Sequence, residues 1–342
     1  MSQDLIGLHE IAEMGGVRPS AVANWRRRYA DFPAPSADLS SGPVFAREHI
    51  QRWLRRRRSK MGRIIAMINL KGGVAKTTTT FATALIMAGE FGKRVLVIDL
   101  DPQTNITVML VGEDRWKKLN DAHHTLAQLF ADALVPDSEP KLFDLKATLQ
   151  RGVGNVSEAT TVDLLPSSLE LIDVQDHLGS MPSGRFFANV PTEILSRATR
   201  GILDDYDYVL IDCPPNLGLI TLNGLRIADG YVIPTVPDVL STYGIPQIET
   251  RIADFANVVG HPIEPFGIAL TKFRVQSTIH INTASQLRGG NHTAVFDTEI
   301  PEGNQLAATA EFRDVTTLRE KIGYRAFPSY LDLTKEIMEA AE

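Results

Sequence analysis

The sequence has few features of a secreted or membrane protein. It contains one cysteine, Cys213, among 342 residues, so an intramolecular disulfide is excluded and a packed thiol in a reducing compartment is expected. No apolar run reaches the roughly 18 residues that a transmembrane helix requires, and no secretory signal is recognisable. Internal repeats and low-complexity tracts are also missing. These absences exclude a disulfide scaffold and predict a cytoplasmic globular protein.

The charge of the chain is unevenly distributed. Residues 1–60 carry eleven Lys and Arg against six Asp and Glu, a net charge of +5; the whole chain carries −6, which leaves −11 on residues 61–342. A length of 342 residues suits one large α/β domain and one small domain. We therefore predict a small basic domain over residues 1–60 that meets a polyanion, and a large acidic domain over residues 61–342.

A glycine-rich loop lies between a predicted strand and a predicted helix. Residues 71–78 read KGGVAKTT, after the apolar run 63–69 and before the helical pattern 79–91. Gly72 and Gly73 let backbone N–H groups approach phosphates closely, and the N-terminus of the following helix favours negative charge. The arrangement predicts a phosphate-binding loop, and a strand-to-helix turn without nucleotide is the alternative.

Two lysines accompany this loop. In the pattern G-x-x-x-x-G-K-[ST], the lysine contacts the β and γ phosphates and the hydroxyl binds Mg²⁺; these positions are Lys76 and Thr77 here. Ala75 replaces the second glycine of that pattern, and Lys71 is an additional cation. The match to the ordinary pattern is therefore incomplete, and Lys71 is an unusual addition to it.

Two further apolar runs end in carboxylates. Residues 94–98 lead to Asp99 and Asp101, and residues 208–211 lead to Asp212. Continuous Val, Ile and Leu runs are typical of strands buried on both faces, and ligands of parallel sheets bind beyond the carboxyl ends of the strands. We therefore expect the loop and the carboxylates to meet at one edge of the sheet.

The remaining sequence alternates between predicted strands and predicted helices, which indicates parallel βαβ units. Further strands are predicted at residues 161–166, 231–235, 263–271 and 295–300. Helices are predicted at residues 192–205, 217–228 and 242–259. The expected fold class is α/β: a doubly wound, mostly parallel P-loop sheet with helices on both faces.

The motifs K-G-G-x-x-K-[ST], D-x-D-P-Q and D-x-P-P together resemble the ParA/MinD family of deviant Walker A ATPases over residues 62–342. The resemblance implies an ATPase that binds ATP and Mg²⁺ and is slow until a partner stimulates it. Lys71 would cross to the nucleotide of the partner subunit in an ATP-sandwich dimer. Lys76 would hold the phosphates of its own subunit, and Asp101 would position the attacking water.

The resemblance also implies the remaining site residues. Thr77 and, through water, Asp212 would hold magnesium, with Asp101 as a further candidate. The implied switch residues are Asp99, Pro102 and Gln103. The residues implied to bind the nucleotide are Lys71, Gly72, Gly73, Val74, Ala75, Lys76, Thr77, Thr78, Asp101 and Asp212, together with Pro237, Asp238, Thr271 and Pro301 around the adenine.

The basic segment 1–60, which we call the head, has the pattern of a winged helix-turn-helix of the MerR or excisionase-like kind. Helices are predicted at residues 5–14, 19–29 and 47–60, with a tight turn at 15–17 and a wing centred on 41–43. Asn and Arg side chains can read base edges, and arginines also suit phosphates. The candidate DNA-binding residues are Ser20, Asn24, Arg26, Arg27, Arg28, Arg55, Arg56, Arg57 and Arg58. A small helical domain for protein contacts, with solvated arginines, is the alternative.

The leading hypothesis is a nucleoid-associated ATPase of a bacterium or archaeon that partitions DNA. Its ATP-bound homodimer would bind DNA and leave it when a ParB-like centromere-binding partner stimulates hydrolysis. The alternative is a nucleotide-switched transcriptional regulator that represses its own operon through the head. One cysteine is too few for the cluster of a nitrogenase iron protein. Residues 331–342 have one lysine against four acids, unlike the lipid-binding helix of MinD, so no membrane partner is expected.

Overall fold

Two compact units, Met1–Gly62 and Arg63–Glu342, make up the chain. The computed structural model describes residues 4–14, 22, 26, 32–39, 42–58, 62–135, 140–180, 191–290, 292–303 and 312–342. Within those residues, no helix has both the length and the apolar character needed to cross a membrane.

The first unit contains a three-stranded antiparallel sheet of order β1-β3-β2. Its strands are β1 (Leu5–Ile6), β2 (Ala37–Leu39) and β3 (Gly42–Ala46), and the helices within its described residues are Leu8–Met14 and Arg47–Arg58. Its core is formed by Ile6, Ile11, Ala12, Val22, Phe45 and Ile50. The predicted wing centre at 41–43 lies partly in the β2–β3 ladder, since Gly42 and Pro43 pair with β2 and residue 41 is outside the described residues. The predicted turn and second helix fall almost wholly outside the described residues.

The predicted helix at residues 5–14 is shorter in the structure, where it begins at Leu8. The two residues of β1 pair instead with β3. Gly7 separates the strand from the helix, and its N–H donates to Glu10 Oε2 at 3.1 Å. Glycine is a poor helix former, so the chain changes conformation at this point.

The second unit contains a seven-stranded parallel sheet of order β10-β9-β8-β4-β7-β5-β6. Its strands are β4 (Arg63–Met67), β5 (Val95–Asp99), β6 (Val162–Leu165), β7 (Tyr208–Asp212), β8 (Gly230–Thr235), β9 (Glu264–Phe273) and β10 (Val295–Pro301). Within its described residues, the α-helices are Lys76–Gly89, Asn105–Val111, Glu113–Asp121, Leu126–Asp132, Leu145–Thr148, Leu171–Ser180, Ile194–Thr199, Leu219–Ile227, Val239–Thr242, Ile245–Val259, Thr278–Arg288, Leu318–Ile322 and Phe327–Ala340. Short 3₁₀ helices span Pro191–Glu193 and Leu203–Asp205.

Both faces of this sheet are covered, as the apolar strand sequences predict. On β4, Ile65 and Met67 belong to one apolar cluster, whereas Ile64 and Ala66 belong to the other. Helices Lys76–Gly89 and Phe327–Ala340 pack in the first cluster; helices Leu126–Asp132, Leu219–Ile227 and Ile245–Val259 pack in the second. Side chains that alternate between two buried faces explain why these strands are apolar throughout.

Two helices predicted as continuous are interrupted. The segment 192–205 contains two 3₁₀ turns and one α-helix, and Gly201 lies in the break before Leu203–Asp205. The segment 242–259 begins its long helix only at Ile245, after Gly244, and a separate short helix precedes it. Glycine disfavours helix continuation, and Pro246 suits the first turn of a new helix.

Candidate nucleotide-binding site

The phosphate-loop residues connect β4, the central strand, to the helix Lys76–Gly89. Two of them adopt left-handed conformations, Gly73 with φ 77° and Ala75 with φ 61°. The loop thus bends sharply before the helix, and Thr79 N–H donates to the Ala75 carbonyl at 2.9 Å. Such a backbone directs successive N–H groups towards one concavity, which is the arrangement that anions require.

Two polar side chains hold this loop in place. Asn69 is fully buried; its Nδ2 donates to the Pro234 carbonyl at 2.9 Å, and its Oδ1 accepts from Lys71 N–H at 2.9 Å. Thr271 Oγ1 donates to the Val74 carbonyl at 3.0 Å. Asn69 was missed in the sequence, although a polar residue at the end of an apolar run is a recognisable signal. Thr271, predicted beside the adenine, contacts the loop itself in this structure.

Lys76 is buried and points back across the loop. Its Nζ donates to the Lys71 carbonyl at 3.2 Å, and only 6% of the residue is exposed. Burial lowers the pKa of Lys76 below its usual value, whereas the carboxylates of Asp212 and Asp101 act in the opposite direction. Burial therefore disfavours the charged form of Lys76, and the two neighbouring carboxylates favour it.

Lys71 is held by side chains of the same chain. Its Nζ lies 3.2 Å from Asp238 Oδ1 and 3.3 Å from Oδ2, and it donates to Ser241 Oγ at 2.7 Å. Burial acts to raise the pKa of Asp238, but hydrogen bonds from Ser241 and Lys71 outweigh it and hold that pKa below its ordinary value. Asp238, predicted in the adenine pocket, therefore contacts the additional lysine, and Ser241 is a contact that the sequence did not reveal.

Three carboxylates meet beyond β5 and β7, as the strand sequences predict. Asp99 and Asp212 are opposite each other in the sheet register and are fully buried, and Asp101 is 8% exposed. Burial raises the pKa of Asp99 well above its ordinary value, and Asp212 adds to the rise. Burial also raises the pKa of Asp212 to about 7, with Thr77 and Lys76 acting against the rise and Asp101 adding to it.

The oxygen atoms of this edge fit a hard divalent cation. Asp212 Oδ2 is buried and has no hydrogen-bond partner among the described residues, while Oδ1 accepts from Thr80 Oγ1 at 3.3 Å. No group of three or more His, Cys, Asp or Glu side chains forms a metal cage within the described part of the chain. Mg²⁺ suits such a site, because it commonly takes one or two protein oxygens and completes its shell with water and substrate phosphates.

The predicted switch residues form a turn that leads into the helix Asn105–Val111. Asp101 Oδ1 accepts from Gln103 N–H at 2.9 Å, and Pro102 lies between these two residues. The Asp99 carboxylate accepts from Thr107 N–H at 3.2 Å and from its hydroxyl at 2.6 Å. The turn is thus tied at both ends to carboxylates of the site.

The remaining predicted residues lie at the edges of this arrangement. Thr78 belongs to the first turn of the helix after the loop, Pro237 is buried beside Asp238, and Pro301 ends β10. After Pro301, Glu302 forms an ion pair with Arg274, with Arg274 Nη2 2.8 Å from Glu302 Oε1. Proline has no polar side-chain group, so a polar contact of Pro237 or Pro301 with the adenine would have to come from the backbone carbonyl.

The predicted DNA-binding residues are only partly described. Arg26 is exposed, with its guanidinium 5.5 Å from the centre of the Phe45 ring. Arg55, Arg56, Arg57 and Arg58 belong to the helix Arg47–Arg58. Ser20, Asn24, Arg27 and Arg28 lie outside the described residues. The arginines of the head therefore remain predicted contacts.

Known proteins resemble most of the chain. A family described as "AAA domain" matches residues 62–263. The chain is 30% identical over 284 residues to the sporulation initiation inhibitor protein Soj of Bacillus subtilis, which covers 81% of this chain and 98% of Soj. It is 32% identical over 279 residues to the chromosome partitioning protein ParA of Myxococcus xanthus, which covers 82% of this chain and 89% of that protein.

Solved structures share the fold. Cobyrinic acid a,c-diamide synthase from Mycobacterium smegmatis, with bound ATP analogue and magnesium, aligns with a TM-score of 0.60 and 26% identity over 79% of this chain and 93% of that one. A putative plasmid partition protein from Borrelia burgdorferi bound to AMPPNP aligns with a TM-score of 0.58 over 82% of this chain and 98% of that one. At 20% identity, the second likeness concerns the fold alone.

Proposed function

We propose that this chain, which belongs to the AAA-domain family and within it to the ParA-type P-loop ATPases, binds ATP with Mg²⁺ and hydrolyses it to partition DNA. The observation that carries the proposal is the meeting of Lys71, Lys76 and three buried carboxylates beyond the carboxyl ends of β4, β5 and β7. Cations for phosphate and oxygen ligands for magnesium are thus available at one edge of the sheet.

Each group has a distinct part in the proposed reaction. The loop N–H groups and Lys76 bind the phosphates. Thr77 would hold Mg²⁺, and Asp212 would do so through a water molecule. Bound Mg²⁺ supplies positive charge to the phosphate oxygens. Asp101 orients the attacking water for an in-line displacement, in which positioning and electrostatic stabilisation provide the rate enhancement.

Lys71 is proposed to connect nucleotide binding with dimerisation. In this structure its ammonium group is bound to Asp238 and Ser241 of the same chain. To reach the nucleotide of a second subunit it must leave these partners, so the two arrangements compete. ATP bound in the partner would offer phosphate oxygens in exchange for the Asp238 carboxylate.

The DNA-binding part of the proposal rests on the head and its charge. Residues 1–60 form the proposed winged helix-turn-helix domain, residues 61–342 form the ATPase domain, and the head carries the net charge of +5. Proteins that bind DNA through phosphates carry clustered Lys and Arg. An ATP-bound homodimer would present two such heads, and a ParB-like partner would stimulate hydrolysis and release.

Nucleotide turnover and DNA binding by the full chain test this proposal. Lys76→Ala is expected to abolish ATP binding in calorimetry, because it removes the buried cation. Asp101→Ala is expected to bind ATP and dimerise but to release phosphate at least ~100-fold more slowly. Lys335→Ala, which alters an exposed lysine paired with Asp332 on the last helix, is the matched control and should behave as the wild type.

The DNA arm of the experiment uses gel shifts with random duplex DNA and with DNA upstream of the gene. ATP-dependent binding to random DNA is the expected result for a partitioning ATPase. Binding confined to the upstream DNA would instead identify a transcriptional regulator. Unchanged turnover in Asp101→Ala would refute the role assigned to Asp101.

A further inference from the structure

The peptide of Asp101 is held on both sides by buried hydrogen bonds. Its N–H donates to Asp99 Oδ1 at 3.0 Å, and its carbonyl accepts from Ser167 Oγ at 2.8 Å and from Thr104 N–H at 3.0 Å. Ser167 follows β6, a different strand from the one that leads to Asp101, and it is fully buried. Two separate parts of the chain therefore determine where Asp101 lies.

These contacts close into a ring through Thr107. Ser167 N–H donates to Thr107 Oγ1 at 3.0 Å, and the same hydroxyl donates to Asp99 Oδ2 at 2.6 Å. The four residues of the ring are Asp99, Asp101, Thr107 and Ser167, none more than 8% exposed. Buried hydrogen bonds of this kind strengthen one another and limit the conformations available to their members.

We propose that Ser167 and Thr107 are positioning residues that fix Asp101 in the orientation required for hydrolysis. This inference rests on the proposed ATPase function and names residues that act within it. Both hydroxyls donate within the ring, Ser167 Oγ to the Asp101 carbonyl and Thr107 Oγ1 to Asp99 Oδ2. Their effect passes through the Asp101 peptide, and a displacement of about 1 Å at a reacting group can cost as much as ~100-fold in rate.

The neighbouring serine has different contacts. Ser168 is also fully buried, but its Oγ donates to Asn120 Oδ1 at 2.6 Å and accepts from Glu170 N–H at 3.1 Å. Adjacent serines of equal burial thus belong to separate networks, and Ser168 provides a matched control. The backbone of Ser167 is held by hydrogen bonds that do not use its hydroxyl. Its carbonyl accepts from Trp116 Nε1 at 3.3 Å, and its N–H donates to Thr107 Oγ1. Ser167→Ala should therefore remove the hydroxyl and leave the backbone in place.

Steady-state ATP hydrolysis by the full chain, with calorimetric ATP binding, tests the inference. We expect Ser167→Ala to lower kcat about five- to tenfold, the factor that one hydrogen bond carries, with little change in KM or in ATP affinity. Ser168→Ala should match the wild type. In an Asp101→Ala background, adding Ser167→Ala should lower kcat no further, since the group it positions is gone.

A pair of variants at Thr107 separates positioning from packing and serves if Ser167→Ala does not fold. Thr107→Ser keeps the hydroxyl and loses a methyl group, whereas Thr107→Val keeps the shape and loses the hydroxyl. Positioning predicts near wild-type kcat for Thr107→Ser and a reduced kcat for Thr107→Val; the reverse order would overturn the inference. Equal kcat in Ser167→Ala and Ser168→Ala would overturn it too. So would a loss of kcat on adding Ser167→Ala to Asp101→Ala that is as large as the loss in the wild-type background. A wild-type chain that binds ATP without turnover would refute the proposed function itself, and this inference with it.

Discussion

Release of Lys71 from Asp238 should strengthen ATP-dependent dimerisation. Asp238→Asn keeps the shape of the side chain and removes the negative charge that faces Lys71 Nζ at 3.2 Å. Ser241 Oγ, at 2.7 Å from the same atom, still accepts a hydrogen bond after the change. Lys71 is therefore held less strongly but keeps one partner. Less free energy is then needed to move it to the position in which it would reach a second subunit.

The size of the effect follows from the exposure of the pair. The Lys71 side chain is 39% exposed and the Asp238 side chain 34%, so water screens their attraction and the pair is worth about 0.5–1 kcal/mol. This free energy corresponds to a factor of about two to five in the dimer association constant for each lysine. A two-fold symmetric dimer releases two such lysines, so its association constant should rise about 4- to 25-fold.

Sedimentation velocity with ATP and Mg²⁺ measures this change. Asp101→Ala is used as the common background, so that ATP persists during the run. Asp207→Asn is the matched control, because Asp207 forms an ion pair with Arg94 before β5 and β7, at the sheet edge opposite the nucleotide site. The reasoning is refuted if Asp238→Asn dimerises no more tightly than Asp207→Asn.

Two further predictions concern stability and pH. Ala75→Gly should raise the free energy of unfolding by about 0.5–1 kcal/mol, because it relieves a left-handed alanine at φ 61° at the expense of a more flexible unfolded chain. Urea denaturation without nucleotide measures this change. A less stable variant would contradict the strain assigned to Ala75. The pKa of Asp212 is raised from 3.8 to about 7. Without ligand, the folded chain therefore holds this proton more tightly than the unfolded chain does. The stability that the protonated group contributes is lost as pH rises from about 4 to about 7. Asp212→Asn should flatten that pH dependence in urea titrations, whereas an unchanged slope would assign it to other groups.

Local sequence patterns predicted the strands and the edge of the sheet where the site lies. The apolar runs that end at Asp99 and Asp212 became the paired strands β5 and β7, because a strand buried on both faces must be apolar throughout. The same reasoning was wrong at residues 192–205 and 242–259, which were predicted as continuous helices. Periodicity carries across a glycine in the sequence, whereas the backbone does not remain helical at Gly201 and Gly244.

Contacts between residues far apart in the sequence were harder to predict. The sequence marked Lys71 as unusual, but its pairing with Asp238 joins residues 167 positions apart. Likewise Ser167 lies 66 positions from Asp101, in a segment without a motif of its own. No local pattern records which polar group a folded chain brings to another.

The amino-acid sequence alone determined the phosphate loop, the order of strands and helices, and the carboxylates that follow two of the strands. These depend on residues close together in the chain: glycines that permit a left-handed turn, apolar runs that must be buried, and acids where such runs end. The tertiary structure decided the rest: the partner of Lys71, the burial of Asp212 Oδ2 without a hydrogen-bond partner in the described part of the chain, and the ring that holds Asp101. Those features depend on which strands become neighbours in the sheet, because burial then requires each polar group to find a partner or a ligand.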